Sequence, residues 1–346
     1  MKIQQYCSSK DEREKLEDWI YHLERGQGPF QFQTSGSTGV PKLISFSWNQ
    51  LKTSVLQTQK AFNLTSSDVF LCPFSLNYVA GKMMVTRAFM LDAKLTFTGP
   101  SRNPLLHKEV NPTFIALVPL QLEAVIDNPV SLKKLNQAKA IIIGGAPMNK
   151  SLEKRISLLV KAPIYQTYGM TETLTHVAIR NVSKSGYSDR FKALSGVTFQ
   201  QNPDGCLIVK TPINNAPIQT NDMVELFGSS FKWLGRIDWV INSGGFKIHP
   251  EKVEQALESI GTEDEVLVCG VPDDVLGELA LAMATFTYSE NKLKSLVPVV
   301  LHKYEMPKLW YKVNTLPRLS NGKVDRLTAK RLALDAVRNG EVKKVS

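Results

Sequence analysis

The apolar positions at the start of the chain fall into a helical rhythm. In SSKDEREKLEDWIYHLE, Leu16, Ile20 and Leu23 recur on one face and acids crowd the first turn, which suits the positive end of a helix dipole. GQGPF breaks that helix. The pattern then alternates: PFQFQT and LISFSW carry apolar and polar residues at every second position, with aromatic and β-branched members, and predict two strands. NQLKTSVLQTQKAFNL predicts a helix, DVFLCPF a buried strand, Ala80 to Phe89 a helix and KLTFTG a strand. TFIALVP and LQLEAVID follow as strand and helix, and AKAIIIGGAPM as an apolar strand running into a glycine turn. Repeated alternation of this kind argues for a layered α/β body.

From about Ser195 to Leu234 the rhythm shortens. Strands such as GCLIVK and DMVELF stand between Asn, Gly, Asp and Pro turns, as in a small β subdomain over about 195–235. After GRID a fresh unit begins with the helix PEKVEQALESI, proline in its first turn and Val253, Ala256, Leu257 and Ile260 on one face. EVLVCGV, LALAMATFT and LWYKVNTLP predict strands, while LKSLVPVVLHKY and DRLTAKRLALDAVRN predict helices. The expected division is residues 1–237 and residues 238–346.

Composition narrows the class. At 346 residues and 43% hydrophobic content the chain can bury a large core. No export signal and no apolar run of membrane-spanning length is read from it, which points to a cytoplasmic protein. Cys7, Cys72, Cys206 and Cys269 lie far apart without a C-x-x-C pair, as reduced thiols would. The net charge of +10 comes from 42 basic residues interleaved with 32 acids, so it argues for no nucleic-acid partner and suits any polyanionic ligand.

TSGSTGVPK, residues 34–42, is not explained by core packing. Its glycines let backbone N–H groups approach an oxyanion, and the hydroxyls of Thr34, Ser35, Ser37 and Thr38 can add to the grip of Gly36, Gly39 and Lys42. It departs from the G-x-x-x-x-G-K-[ST] loop, because Pro41 precedes Lys42 and leucine follows, and it reads as strand, loop, strand. In GGAP, Gly144, Gly145 and Ala146 offer flat backbone to a planar ring, or form an ordinary tight turn. YGMTET combines the Tyr168 ring, Gly169, the hydroxyl of Thr171 and the carboxylate of Glu172, which suits Mg²⁺ or simply a solvated loop. TND reads as a turn whose Asp222 can accept from two ribose hydroxyls, although an Asx-turn accounts for it as well. GRIDWVINSGGFKI brings Arg236, Asp238, Gly244 and Gly245 into one interval, and LPRLSNGKVDR puts Lys323 beyond an Asn-Gly turn.

Together these segments resemble the acyl-adenylate-forming superfamily of acyl- and aryl-CoA ligases, luciferases and peptide-synthetase adenylation domains, in that family's order from Thr34 to Arg326. The resemblance implies a fold class of α/β: a large N-terminal layered α/β domain with a small β subdomain, shortened at its N-terminus, plus a smaller mobile α+β C-terminal domain. It implies ATP, Mg²⁺ and coenzyme A. Residues 34–39 and Lys42 would then hold the ATP phosphates, and Gly144 to Ala146 with Tyr168 and Gly169 the adenine. Asp222 and Arg236 would hold the ribose, Thr171 the α-phosphate and Glu172 the metal. Lys323 would be the adenylation lysine, Asp238 the hinge, and Gly244–Gly245 the loop that admits the pantetheine arm.

Family members usually carry well over a hundred residues before the phosphate loop, which puts in doubt any pocket wall or dimer surface formed there. IIIGGAPM and YGMTETLTHVAIR resemble short o-succinylbenzoate–CoA ligases of menaquinone biosynthesis. On that likeness Arg87 faces the substrate's spare carboxylate, with Lys82 the nearby alternative, and Thr175 and His176 border the pocket. His176 reads equally as a satisfied core residue, and Arg87 as a helix-surface cation. The expected partners are a small carboxylic acid, ATP and CoA, and homodimer formation is left open.

Overall fold

The structure, a computed structural model, describes residues 1–34, 42–107, 109–260, 265–285, 301–319 and 324–344. Strand β1 (Ile3–Gln5) and helix α1 (Lys10–Arg25) open the chain, followed by β2 (Phe30–Gln33), β3 (Leu43–Phe46), α2 (Trp48–Phe62), β4 (Val69–Cys72), α3 (Val79–Met90) and β5 (Lys94–Phe97). Next come β6 (Phe114–Leu117), α4 (Pro119–Ile126), α5 (Pro129–Leu135), β7 (Ala140–Ile143), α6 (Lys150–Leu159), β8 (Ile164–Gly169) and β9 (His176–Asn181). Five strands continue as β10 (Phe191–Ala193), β11 (Thr198–Gln201), β12 (Cys206–Lys210), β13 (Ile218–Phe227) and β14 (Ser230–Arg236). The remainder is β15 (Ile241–Ser243), β16 (Phe246–Ile248), α7 (Pro250–Ile260), β17 (Val266–Asp273), β18 (Gly277–Ala284), β19 (Leu309–Lys312), α8 (Arg326–Arg338) and β20 (Lys343–Lys344).

Twelve strands form one sheet, in the order β1-β5-β4-β6-β7-β8-β9-β10-β14-β13-β12-β11. From β1 to β8 every pairing is parallel, and from β8 onward every pairing is antiparallel. The parallel half is covered on both faces, so its central strands β4, β6 and β7 are apolar at every position. Phe70, Phe114 and Ile142 pack under α1, α2 and α3, while their neighbours Leu71, Ile115 and Ile143 pack under α4, α5 and α6. Sequence signals set the helix ends: Ser9 caps α1 and Gly26 closes it at φ 60°, while Ser47 and Gln50 form a capping box on α2.

Three expectations need correction. The face of α1 that packs inward is led by Leu16, Trp19 and Leu23, with Ile20 only half-buried, because the Trp19 indole is anchored on α3 by Nε1–H bonds of 3.1 Å to the Lys82 carbonyl and the Thr86 hydroxyl. The short strands after Ser195 have their own core around Phe199, Leu207 and Phe231, yet their hydrogen bonding continues the main sheet through β9 and β10. TND is no turn: Thr220–Asp222 lies inside β13, with Asp222 opposite Arg236 on β14. The helix expected over LKSLVPVVLHKY falls mostly outside the described residues.

A second sheet runs β16-β15-β18-β19-β20, with β17 against β18. One of its faces packs on Val253 and Leu257 of α7, the other on Ala329 and Ala333 of α8. Glu251 of α7 lies against Gly235 of β14, where any Cβ would meet its carboxylate. Burial pushes the Glu251 carboxyl up to about 7 from 4.5, against the pull of Arg326 at 3.8 Å.

Because the folded pKa lies above the unfolded one, ionisation of Glu251 penalises the fold as pH rises from 4.5 through 7. Glu251→Gln is expected to raise the melting temperature at about pH 8 and to change it little at about pH 4.5, as read by thermal denaturation at the two pH values.

Candidate functional site

The loops that leave the parallel strands at their C-terminal ends gather on one edge of the sheet, where open α/β sheets bind their ligands. Gly144, Gly145 and Ala146 leave β7 there, with Gly145 exposed and its two neighbours half-buried. Tyr168 and Gly169 end β8, and Thr171–Thr173 forms a single 3₁₀ turn in which Thr171 is buried and Glu172 exposed. A bulge between Tyr168 and Gly169 shifts the register against β9. Gly169 passes so close to the Thr175 carbonyl that a Cβ would collide with it.

Tyr168 donates its phenol hydrogen to Asp222 Oδ2 at 2.6 Å, and Trp233 Nε1–H donates to Oδ1 at 3.1 Å. Burial and then the Asp222 charge hold the phenol well above its ordinary pKa, so it remains a donor. An ionised carboxylate has about four acceptor positions. Two therefore remain on Asp222 for further hydroxyls. Arg236 forks onto Asp238 at 2.5 and 3.1 Å, and Asn221 donates to the same carboxylate at 2.9 Å. Burial works against the Arg236 charge, but the Asp238 hydrogen bond, with the charges of Asp222 and Asp238, more than compensates and raises its pKa.

The phosphate-loop residues Ser35, Gly36, Ser37, Thr38 and Gly39 lie outside the described residues. Both ends of that loop are pinned together: Thr34 N–H donates to the Lys42 carbonyl at 2.9 Å, and Lys42 N–H donates to Thr34 Oγ1 at 3.0 Å. From Lys42, β3 leads into α2, whose Gln50 donates to the Ile213 carbonyl at 2.7 Å. The adjoining Asn214 donates to the Glu172 carbonyl at 3.1 Å. These two bonds tie α2 to the Glu172 turn that follows Tyr168. Among the described residues no three His, Cys, Asp or Glu side chains cluster as a metal site. Glu172 is exposed.

A second group lies beside this turn. Arg87 on α3 is 3% exposed and pairs with no carboxylate among the described residues. Its Nε–H donates to Thr58 Oγ1 at 3.3 Å, Nη1 approaches the Met84 sulfur at 3.6 Å, and Nη2 is buried without a partner. Burial lowers its pKa to about 10, which still leaves the guanidinium charged near neutrality. His176 at the start of β9 is buried and 3.3 Å from Thr58 Oγ1. Burial and then Arg87 hold its imidazole well below its ordinary pKa, hence neutral. Thr175 meets Ser54 of α2 hydroxyl to hydroxyl at 3.1 Å. Lys82 stands elsewhere on α3, donating to the Gln31 carbonyl at 2.9 Å with its ammonium 4.6 Å from the Trp19 ring centroid. Sequence reasoning did not find Thr58, Ser54 or Trp233; the α2 pair is legible only as hydroxyls four residues apart on a helix face.

In the second sheet, Gly244 and Gly245 join β15 to β16 with φ of 57° and 85°, the left-handed pair that a two-residue hairpin turn requires. Lys323 lies outside the described residues; Arg318 and Val324 on either side of its segment pair antiparallel.

The AMP-binding enzyme family model matches residues 30–197. A solved structure described as an acyl-CoA synthetase (AMP-forming)/AMP-acid ligase II-like protein, from Dyadobacter fermentans, is 32% identical at a TM-score of 0.64, covering 95% of this chain and 96% of that one. The chain belongs to the AMP-binding enzyme family and is an enzyme of its adenylate-forming CoA-ligase class. A 2-succinylbenzoate–CoA ligase from Oceanobacillus iheyensis is 25% identical over 324 residues, 85% of this chain and 67% of the relative. A 4-chlorobenzoate–CoA ligase from an Arthrobacter species is 26% identical over 355 residues, 89% of this chain and 67% of the relative. No helix among the described residues is long and apolar enough to cross a membrane.

Tyr168→Phe keeps the ring contact with Phe231 and removes the hydrogen bond to a charged acceptor. It is expected to cost about 1.5–3 kcal/mol in chemical denaturation; a loss below about 0.5 kcal/mol would show that Asp222 does not depend on the phenol.

Proposed function

We propose that this ligase activates o-succinylbenzoate as its acyl-adenylate and passes the acyl group to coenzyme A. The observation that carries the choice of acid is Arg87. A charged guanidinium removed from water is costly unless an anion meets it, and within the described residues none does. A benzoic acid bearing a second carboxylate would supply that anion, and Arg geometry favours a two-pronged grip on it. The runner-up is another aryl or fatty acid, as the 4-chlorobenzoate–CoA relative illustrates. A monocarboxylic substrate would leave Arg87 uncompensated.

In this reading Asp222 accepts from the ribose hydroxyls with its two unspent positions, and Arg236 reaches the ribose at the expense of its hold on Asp238. Tyr168 and the Gly144–Ala146 turn flank the adenine, and Thr171 meets the α-phosphate. Lys42 and the phosphate-loop residues hold the outer phosphates. Magnesium, when bound through Glu172, would neutralise phosphate charge and orient the leaving pyrophosphate. The acid's carboxylate attacks the α-phosphorus, forming one O–P bond as the bond to pyrophosphate breaks. Lys323 would place its ammonium between the two reacting anions, and fixed charge of this kind lowers the barrier more than it aids binding. The unit 238–346 then turns about Asp238, and the thiolate of CoA displaces AMP with Gly244–Gly245 lining its approach. A non-catalytic nucleotide-binding role would have no use for Lys323 together with Glu172.

Two experiments test this. A panel of carboxylic acids scored by pyrophosphate release is expected to rank o-succinylbenzoate first, and Arg87→Leu to raise its KM by about 30-fold or more while moving the ATP KM far less. A monocarboxylic acid in first place would overturn the substrate. Lys323→Ala is expected to lower adenylate formation by about 100-fold or more and to spare thioester formation from supplied adenylate. Equal loss in both half-reactions would contradict the alternation of the two units.

A further inference from the structure

Arg87 and His176 come from different elements, α3 and β9, and what they share is one hydroxyl. Thr58 Oγ1 lies 3.1 Å from the Ser54 carbonyl, 3.3 Å from Arg87 Nε and 3.3 Å from His176 Nε2. A hydroxyl has one hydrogen and two lone pairs. With its hydrogen on Ser54, both lone pairs face the other two groups, and Arg87 can only donate. His176 must then donate as well, from Nε2–H, which fixes the neutral imidazole in one tautomer with Nδ1 as acceptor. Thr58 is suited to this because its Oγ1 can bond the carbonyl four residues back on the helix, here that of Ser54. One turn earlier on the same face, Ser54 meets Thr175, so two hydroxyls tie α2 to the residues that open β9.

We propose that Thr58 is a positioning residue for acid specificity: its hydroxyl locks the Arg87 fork and the His176 ring together, leaving Arg87 Nη2 unspent for the substrate's second carboxylate. This deepens, and rests on, the reading of Arg87 given above. Thr58 touches no reacting atom. Removing its hydroxyl leaves two buried N–H donors without an acceptor, so the fork and the ring lose their common anchor.

The test compares Thr58→Val, which deletes the hydroxyl, with Thr58→Ser, which retains it. Kinetics are measured with o-succinylbenzoate and with benzoate, which lacks the side-chain carboxylate. Thr58→Val is expected to raise the KM for the diacid about tenfold, with kcat and the ATP KM within about twofold of wild type, and to leave the KM for benzoate within about twofold. Thr58→Ser is expected to restore the diacid KM to within about threefold. Nitrogen-15 spectra of labelled imidazole in the free wild-type protein should give His176 as the neutral Nε2–H tautomer, and Thr58→Val should disturb that population. An unchanged diacid KM in Thr58→Val, an equal loss for both acids, or an Nδ1–H tautomer in wild type would overturn the proposal. Were wild type to show no preference for the diacid, the substrate reading would fall, while the tautomer of the free protein would still decide the role of Thr58.

Discussion

One strand must serve two kinds of sheet, and the site follows from how it does so. β8 pairs in parallel with β7 and antiparallel with β9, so its C-terminal end is where helix-covered α/β layers give way to meandering strands. At that end the pairing with β9 is broken by the Tyr168–Gly169 bulge, with glycine admitted because the backbone near Thr175 leaves no room for a side chain. The bulge lets the ring of Tyr168 pack on Phe231 and its hydroxyl reach Asp222 across the antiparallel half. It also releases Thr171 and Glu172 into the loop edge of the parallel half. Groups supplied by two sheet geometries therefore meet at one junction.

Two other guanidinium groups, that of buried Arg180 and that of half-buried Arg326, show how charge is managed elsewhere. Arg180 is met by Glu153 and Gln166, and Glu153 also takes Lys150 and the Tyr187 hydroxyl. Arg326 is met by Glu254 at 2.5 Å and by Glu251. Each is paired with a carboxylate, which makes a desolvated charge tolerable. Arg87 has a threonine, a thioether and an unpartnered nitrogen. Among the described residues Arg87 thus differs from Arg180 and Arg326 in having no carboxylate against it.

The parallel half was legible in the sequence because doubly covered strands are apolar throughout and their helices carry caps and spaced apolar residues. AIII at β7 and Ser47 with Gln50 at α2 are examples. The antiparallel half was less so. Asn221–Asp222 carries turn chemistry yet lies within a strand, because cross-strand pairing with β14 and the bonds from Tyr168 and Trp233 outweigh local preference. Thr58 was invisible for a different reason: it sits in an ordinary amphipathic helix, and its partners lie 29 and 118 residues away. Motifs reveal chemistry that is local in sequence; a shared hydroxyl between distant elements leaves no such mark.

The aromatic pair beside the glycine hairpin has a mechanical consequence. Phe246 stacks on Tyr304 with ring centroids 4.1 Å apart, and Glu305 next to that tyrosine is bound to Lys252 of α7 at 2.5 Å. The hairpin tip is thereby riveted at its root to two other segments of its own sheet layer. Its two glycines bend the chain but give it no independent swivel. Any displacement of that tip away from Tyr304 has to undo the ring stack first.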